Sequence, residues 1–259
     1  MAETPPEEQR VGCYVYGIVP AEVEVDDGAE GVGDPPARVR PLRHGNLAAL
    51  VSDIALDRPL GTPQDLLAHE QLLDATAAEV PVLPIRFGAV MTTHDAVVEE
   101  FLSPYHDEFV AALAELEGRA QYVVKGRYVE EMVLTEVLDE NPEAARLLEE
   151  IRELPEDASR NQRIQLGELI SESITAKRDA DTETLLKGVE QVSIMSTVRQ
   201  PSHEQDAVHV ALLVETGRQG ELERVLEEFG NRWAERITLR LLGPMAPYDF
   251  VVSQGQGDG

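Results

Sequence analysis

Ile237-Thr238-Leu239-Arg240-Leu241-Leu242-Gly243-Pro244-Met245-Ala246-Pro247-Tyr248-Asp249-Phe250-Val251-Val252 reads as a β-strand that breaks at Gly243-Pro244 and resumes with Tyr248, Phe250 and Val252 alternating. The residues before it, 220–235, place Leu222, Val225, Leu226, Phe229 and Trp233 on one side of a helix. Two further strands precede that helix, at about 191–198 and 207–214. A helical region fills about 130–189, punctuated by Asn141-Pro142, a cap followed by a first helical residue, and by Pro155. Within it Leu147, Leu148 and Ile151 line one helical face, and Ile164, Leu169, Ile170 and Ile174 another. With a strand at 121–129 in front, residues 119–253 read as a ferredoxin-like βαββαβ domain whose first helix is expanded into a helical insertion.

The first half follows a modified version of that pattern. A strand at 12–19 leads to an Asp-, Gly- and Pro-rich loop at 26–36, then paired strands at 38–44 and 47–54 joined by Gly45-Asn46. Thr62-Pro63 opens a helix, since Thr caps and Pro suits the first helical position. Leu66, Leu67, Leu73, Ala77 and Val80 form its apolar stripe. A strand at 82–91 follows, then one amphipathic helix over 95–117 with Val98, Phe101, Tyr105, Phe109, Leu113 and Leu116 at spacings of three and four. Gly118 ends it. The fold class is α+β with two domains, a modified ferredoxin-like one at 12–118 and a ferredoxin-like one at 119–253. Disordered tails are expected at 1–11 and 254–259.

The chain's 259 residues carry 49 acidic and 22 basic side chains, a net charge of −27. That sign repels phosphate backbones and anionic headgroups, so neither nucleic acid nor membrane is an expected partner. Aromatic residues make up 5%, too few for base-stacking platforms. Cys13 is the only cysteine, which excludes an internal disulfide and a cysteine metal cage. The acidic, Pro-rich residues 1–10 do not resemble a signal peptide, and no apolar run reaches the roughly 20 residues that span a bilayer. A cytoplasmic protein is the expectation.

A search for chemistry yields little. His69-Glu70 has the first two letters of HExxH, but the second histidine position is Leu73. His69, Glu70 and Arg86 instead suggest a structural polar network, with Arg86 in an apolar strand seeking a carboxylate from Glu70 or Asp53. Gly28-Ala29-Glu30-Gly31-Val32-Gly33 is glycine-rich, yet Asp34-Pro35-Pro36 after it cannot open a helix over a phosphate. The remaining histidines are scattered, and pairs such as Glu99-Glu100 fall on solvated helix faces. No catalytic, cofactor-binding or metal-binding residue is assigned. The strand at 12–19 is apolar on both sides, with Cys13, Val15 and Val19 on one and Tyr14, Tyr16 and Ile18 on the other. Helices of a ferredoxin-like domain cover one sheet face only, so either the domains cover each other or an apolar client docks there. Tyr14, Tyr16, Leu242, Met245, Tyr248 and Phe250 are the candidate partner-binding surface.

Three stretches in order carry a family resemblance: Tyr14-Val15-Tyr16-Gly17-Ile18-Val19, then Val80-Pro81-Val82-Leu83-Pro84-Ile85-Arg86-Phe87-Gly88 shortly after His69-Glu70, then the tail quoted above. Together they closely resemble the gas vesicle protein F/L family, over residues 13–252. The resemblance implies an N-terminal α+β domain, a ferredoxin-like C-terminal domain and intervening helices. It also implies a gas vesicle-associated accessory protein, not an enzyme and without a cofactor. Such a protein would bind the hydrophobic major shell protein, limit its aggregation and meet other accessory proteins. The competing expectation is a small-ligand-binding or enzymatic α+β protein with a polar site around His69, Glu70 and Arg86.

Overall fold

The structure, a computed structural model, describes residues 11–26, 28–57, 59–155 and 158–251. The tails expected to be disordered lie outside these residues, apart from Val11. The chain divides into two compact units. The first takes the residues up to Gln121 together with those from Pro244 onward, and the second is Tyr122–Gly243. Pro244 and the residues after it thus belong to the first unit, whereas the sequence reading puts 119–253 in one domain.

The first unit is built on a mixed-length antiparallel sheet. Its strands are β1 (Val11–Pro20), β4 (Arg40–His44), β5 (Leu47–Ala55), β6 (Leu83–Pro84) and β7 (Val90–Met91). Their order is β4-β5-β1-β6, with β7 also paired to β1. Gly45, at φ 60°, makes the tight turn between β4 and β5 that Gly45-Asn46 announces. The pairing of β1 with β5 slips at Tyr16, where Val15 faces Val51 and Gly17 faces Leu50. That bulge inverts the alternation beyond it. Val19 consequently joins Tyr14 and Tyr16 in one core, instead of Ile18 as strict alternation requires.

The segment 26–36, expected as a loop, contains β2 (Glu30–Gly33), which pairs with β3 (Pro36–Arg38). Val32 and Val39 of this region enter the tyrosine core, so the cover expected from the other domain or from a docked client comes in part from this region itself. Helix α1 (Pro63–Ala77) begins as expected: Thr62 caps it and exchanges hydrogen bonds with Asp65 in a capping box. Its buried positions are Asp65, His69, Leu73 and Ala77, spaced by four. Leu66 and Leu67, read as part of the stripe, are 42% and 52% exposed. The apolar run at 82–91 is not one strand but two short ones, because Pro84 lacks a donor and the chain turns at Gly88. The helix expected over 95–117 is also split. Helix α2 (His94–Ala96) runs into a π-helical segment at Val97–Leu102, and after the break at Pro104 comes α3 (His106–Leu116).

In the second unit β8 (Arg119–Tyr128) is followed by α4 (Glu130–Glu140), α5 (Pro142–Glu153) and the 30-residue α6 (Arg160–Val189). Asn141 Oδ1 accepts from the Glu143 and Ala144 N–H groups, the cap that Asn141-Pro142 foretells. Ala144, Leu147 and Leu166 form a small core between α5 and α6, with Leu148, Ile151, Leu169 and Ile170 packed on it; Ile164 is exposed. The strands β9 (Met195–Val198) and β10 (Asp206–Glu215), the helix α7 (Gln219–Arg232) and β11 (Ile237–Met245) complete it. The sheet order is β11-β8-β10-β9. Helices α6 and α7 lie on one sheet face: Tyr128 O–H donates to Asp181 on α6 at 2.6 Å, and Tyr122 O–H to Gln219 on α7 at 2.9 Å. Beyond Met245 the strand does not resume; Ala246–Val251 form a turn in the first unit.

Candidate functional site

A concentration of aromatic and titratable groups lies in the first unit, around His69. Residue 69 falls on the buried stripe of α1, and β1 presents Tyr14 and Tyr16 to it. The Tyr16 ring is 5.6 Å from the imidazole and nearly parallel, while Tyr14 and Phe87 meet it edge-on at 5.7 and 5.6 Å. The hydrogen bonds assign the protons. Gly88 N–H donates to Tyr14 Oη at 3.0 Å, so the tyrosine directs its own hydrogen to His69 Nδ1, also at 3.0 Å. Nε2 then carries the proton and donates to the Ile85 carbonyl at 3.1 Å. Tyr16 Oη accepts from Val32 N–H at 2.7 Å and lies 2.8 Å from Ser52 Oγ.

The polar side chains at its centre are sealed, with Tyr14, Tyr16 and Ser52 at 0% and His69 at 2% exposure. Burial holds the His69 pKa below its ordinary value, the Ile85 bond opposing only in part, and burial drives the phenol pKa values of Tyr14 and Tyr16 upward. Cys13, equally buried, has its thiol pushed up to about 11, so it stays protonated and unreactive at neutral pH. The arrangement is a neutral, satisfied hydrogen-bond chain that fixes β1, α1 and the loop at residues 85–88 against one another.

The tail adds to this core. Ala246 N–H donates to Asp74 Oδ1 at 2.9 Å, and Asp249 N–H donates to Oε1 of the fully buried Gln121 at 3.0 Å. Gln121 Nε2 reaches Met245 Sδ at 3.6 Å. The Tyr248 ring sits 6.4 Å from His69, its hydroxyl buried without a hydrogen-bond partner. Burial raises the Asp74 pKa, with the Ala246 bond acting the other way.

The residues singled out from sequence thus separate. His69 is the hub of a polar network, while the side chains of Glu70 and Arg86 are exposed. One residue along a helix turns the side chain by about 100°, which carries Glu70 off the buried stripe, and Arg86 stands in the loop between β6 and β7. Asp53, the other suggested carboxylate, is exposed and engages Arg40 at 3.2 Å and His94 at 2.8 Å. Tyr14 and Tyr16 have no surface to offer a partner. Leu242 is 42% exposed, whereas Met245, Tyr248 and Phe250 are half-buried.

A second polar cluster was not anticipated. In the second unit Arg236 bonds Asp181 at 2.9 Å and Glu136 at 2.7 Å, and Lys177 bonds Glu136 at 3.2 Å and Glu140 at 2.7 Å. The Arg236 guanidinium also lies 5.5 Å from the Tyr128 ring centre. Arg236, Asp181, Lys177 and Glu140 border an open recess of about 500 Å³. Its two cations are already neutralised by three carboxylates, so it has little pull on an anion. The sequence hint was the acid spacing of α4, Glu136 and Glu140 one turn apart. Among the described residues no group of three His, Cys, Asp or Glu could hold a metal ion, and no helix is long and apolar enough to cross a membrane.

Comparison with known proteins accounts for the architecture as a whole. The family model of the gas vesicle synthesis protein GvpL/GvpF matches residues 12–252. Gas vesicle protein F of Streptomyces sp. (strain CB03234) is 33% identical over 245 residues, covering 93% of this chain and all of that protein. Gas vesicle protein F of Microcystis aeruginosa (strain PCC 7806) is 23% identical over 244 residues, 93% of this chain and 98% of the relative. Gas vesicle protein L of the same Streptomyces strain is 32% identical over 125 residues, 43% of this chain and 46% of that one. In fold, the crystal structures of GvpF from Anabaena sp. PCC7120 and from Microcystis aeruginosa superpose with TM-scores of 0.75 and 0.73, each at 21% identity and over 93% of this chain, covering 98% and 99% of theirs. The mixed α+β architecture is theirs, and with a match running from β1 to the tail the chain belongs to the gas vesicle synthesis GvpL/GvpF family.

Proposed function

We propose that this protein acts in gas vesicle assembly by binding the small hydrophobic shell-forming protein, keeping it from aggregating and passing it to the growing shell. The observation that carries this reading is the match to the GvpL/GvpF family along residues 12–252. The physical logic is consistent with it. A protein lining a gas-filled space is strongly apolar on one side, and an acidic partner of net charge −27 keeps a complex with it soluble. Leu242 and the half-buried Met245, Tyr248 and Phe250 are the proposed contact residues. The closed packing around His69 supports an interaction protein over a small-ligand site. The second unit is read as ferredoxin-like, since its four strands in chain order stand 4-1-3-2 in the sheet. We place the protein in the cytoplasm, with shell protein and other accessory proteins as partners.

The test is light scattering of shell protein diluted from denaturant. Excess accessory protein, without nucleotide, should delay the rise in scattering. Unchanged aggregation at several-fold excess sinks the holding role.

A further inference from the structure

The sheet of the second unit has one face under α6 and α7, and its other face carries a concentration of positive charge that the composition conceals. Gly126 of β8 fixes which residues share a face. A side chain there would meet Val208 Cγ2 at 2.5 Å, Leu239 Cδ2 at 3.0 Å and Ile237 Cγ2 at 3.1 Å. Those residues lie on the helix side with Tyr128, so their sequence neighbours point the other way. The neighbours are Lys125 and Arg127 on β8, His209 on β10, and Thr238 and Arg240 on β11. Continuing the β9–β10 register, in which Val198 faces Val210, sets Arg199 opposite His209, and Arg199 N–H bonds the His209 carbonyl at 2.8 Å. Four strands at about 4.8 Å spacing make this a band about 14 Å wide.

Lys125, Arg127 and Arg240 are exposed, and none of the three makes an ion pair among the described residues. In a chain with 49 acids and 22 bases that is unexpected, because several arginines elsewhere, such as Arg40, Arg218 and Arg236, pair with carboxylates. Like charges on neighbouring strands destabilise a sheet. His209 lies within the band at 9% exposure; its Nδ1 reaches the Gln200 carbonyl at 3.1 Å while its Nε2 is buried without a partner. Burial, and then the charges of Lys125 and Arg199, hold its pKa down. Beyond this band the same face is buried at Val123, Ala211 and Leu213, and Leu242, 42% exposed, and Met195, 54% exposed, stand on its two edge strands.

We infer that this sheet face is a docking surface for an acidic, partly apolar segment of a partner protein, with Lys125, Arg127 and Arg240 as its charge contacts. Charge complementarity selects the occupant, and Leu242, two residues from Arg240 on the same strand, favours a peptide over a bare polyanion. The inference does not rest on shell-protein binding, with which it shares only Leu242. Long-range repulsion from the acidic body does not forbid it: at about 0.1 M salt the Debye length is about 10 Å, so distant acids are screened while the band acts at contact.

The experiment uses the full chain and a fluorescent peptide of alternating Glu and Leu, read by anisotropy at about 0.1 M and about 1 M salt. Binding should appear at the lower salt and fall at the higher. The triple substitution Lys125→Glu, Arg127→Glu, Arg240→Glu should weaken it by about tenfold or more. The neutral triple to Gln should be intermediate, and Arg146→Glu on α5 should leave binding unchanged. An unaltered melting curve for each variant shows that the fold is intact. Equal binding by the reversed-charge protein overturns the inference, as does inorganic polyphosphate binding where the peptide does not. Self-association of the wild type that the reversal abolishes, seen by sedimentation, assigns the face to a second copy instead and overturns the proposed partner.

Discussion

The two units organise their polar interiors in opposite ways. The first buries a neutral chain, Gly88 N–H to Tyr14 to His69 to the Ile85 carbonyl, with no ionised member. The second uses charges, Arg236 and Lys177 against Asp181, Glu136 and Glu140, at positions 13–28% exposed or, for Glu140, 66% exposed. The difference follows from access to water. A sealed site tolerates only groups that satisfy one another while uncharged, whereas a half-exposed site keeps enough hydration for ion pairs to survive. The first unit should therefore be insensitive to salt and sensitive to protonation, and the second the reverse.

Removing the tail after Gly243 is the severest way to break this contrast. Loss of buried Ala246 and Pro247, part of Tyr248, and two hydrogen bonds should cost the first unit about 4–6 kcal/mol. Hydrogen exchange should show β1 deprotected and β10 unaffected; equal protection of both strands in the truncated chain would refute the assignment of the tail. Next in size, His69→Ala should cost about 2–4 kcal/mol, from the cavity and from the stranded Tyr14 hydroxyl and Ile85 carbonyl. It also carries a pH signature. The folded His69 pKa lies below its ordinary 6.5, so below that pH the unfolded chain takes up a proton that the folded chain refuses. Wild-type stability should then be fully present above 6.5 and decline as pH falls toward the folded value, and the wild-type-minus-variant difference should shrink likewise. A pH-independent difference in denaturant midpoints would contradict the buried neutral imidazole.

Arg236→Ala should cost about 1–3 kcal/mol, by stranding Asp181 and Glu136. Its penalty should shrink in 1 M salt while that of His69→Ala does not, and equal salt dependence would erase the distinction between the units. Least of all, Arg86→Ala should change stability by about 0.5 kcal/mol or less, as an exposed side chain. A melting shift implying several kcal/mol would restore the buried ion pair expected from its apolar surroundings.

What was legible in the sequence was local. Thr62-Pro63, Asn141-Pro142, Gly45-Asn46 and Gly118 each act through their own backbone, and each does what its chemistry requires. The break at Pro104 had an equally local signal that the helical spacing of Phe101, Tyr105 and Phe109 overrode. The bulge at Tyr16 had none, since an extra residue in a strand is defined by the strand opposite. Tyr14 and Tyr16 read as a surface because their cover, Val32 and Val39, comes from a glycine-rich stretch taken for a loop. Family resemblance pointed to the assembly role where no motif did. The basic band was invisible because Lys125, Arg199, His209 and Arg240 are brought together only by strand order.

The first unit is made from the two ends of the sequence, with the whole second unit encoded between them. On a ribosome, at about 5–20 residues per second, roughly 6–25 s separate the appearance of Gln121 from that of Pro244. Through that interval β1 and α1 can meet, but Tyr248 and the Ala246–Asp74 hydrogen bond are still missing. The second unit, contiguous in sequence, has all its strands through β10 and most of β11 before the first can be finished. Maturation therefore runs against the order of translation, and the last described residues to be synthesised close the core that the earliest began.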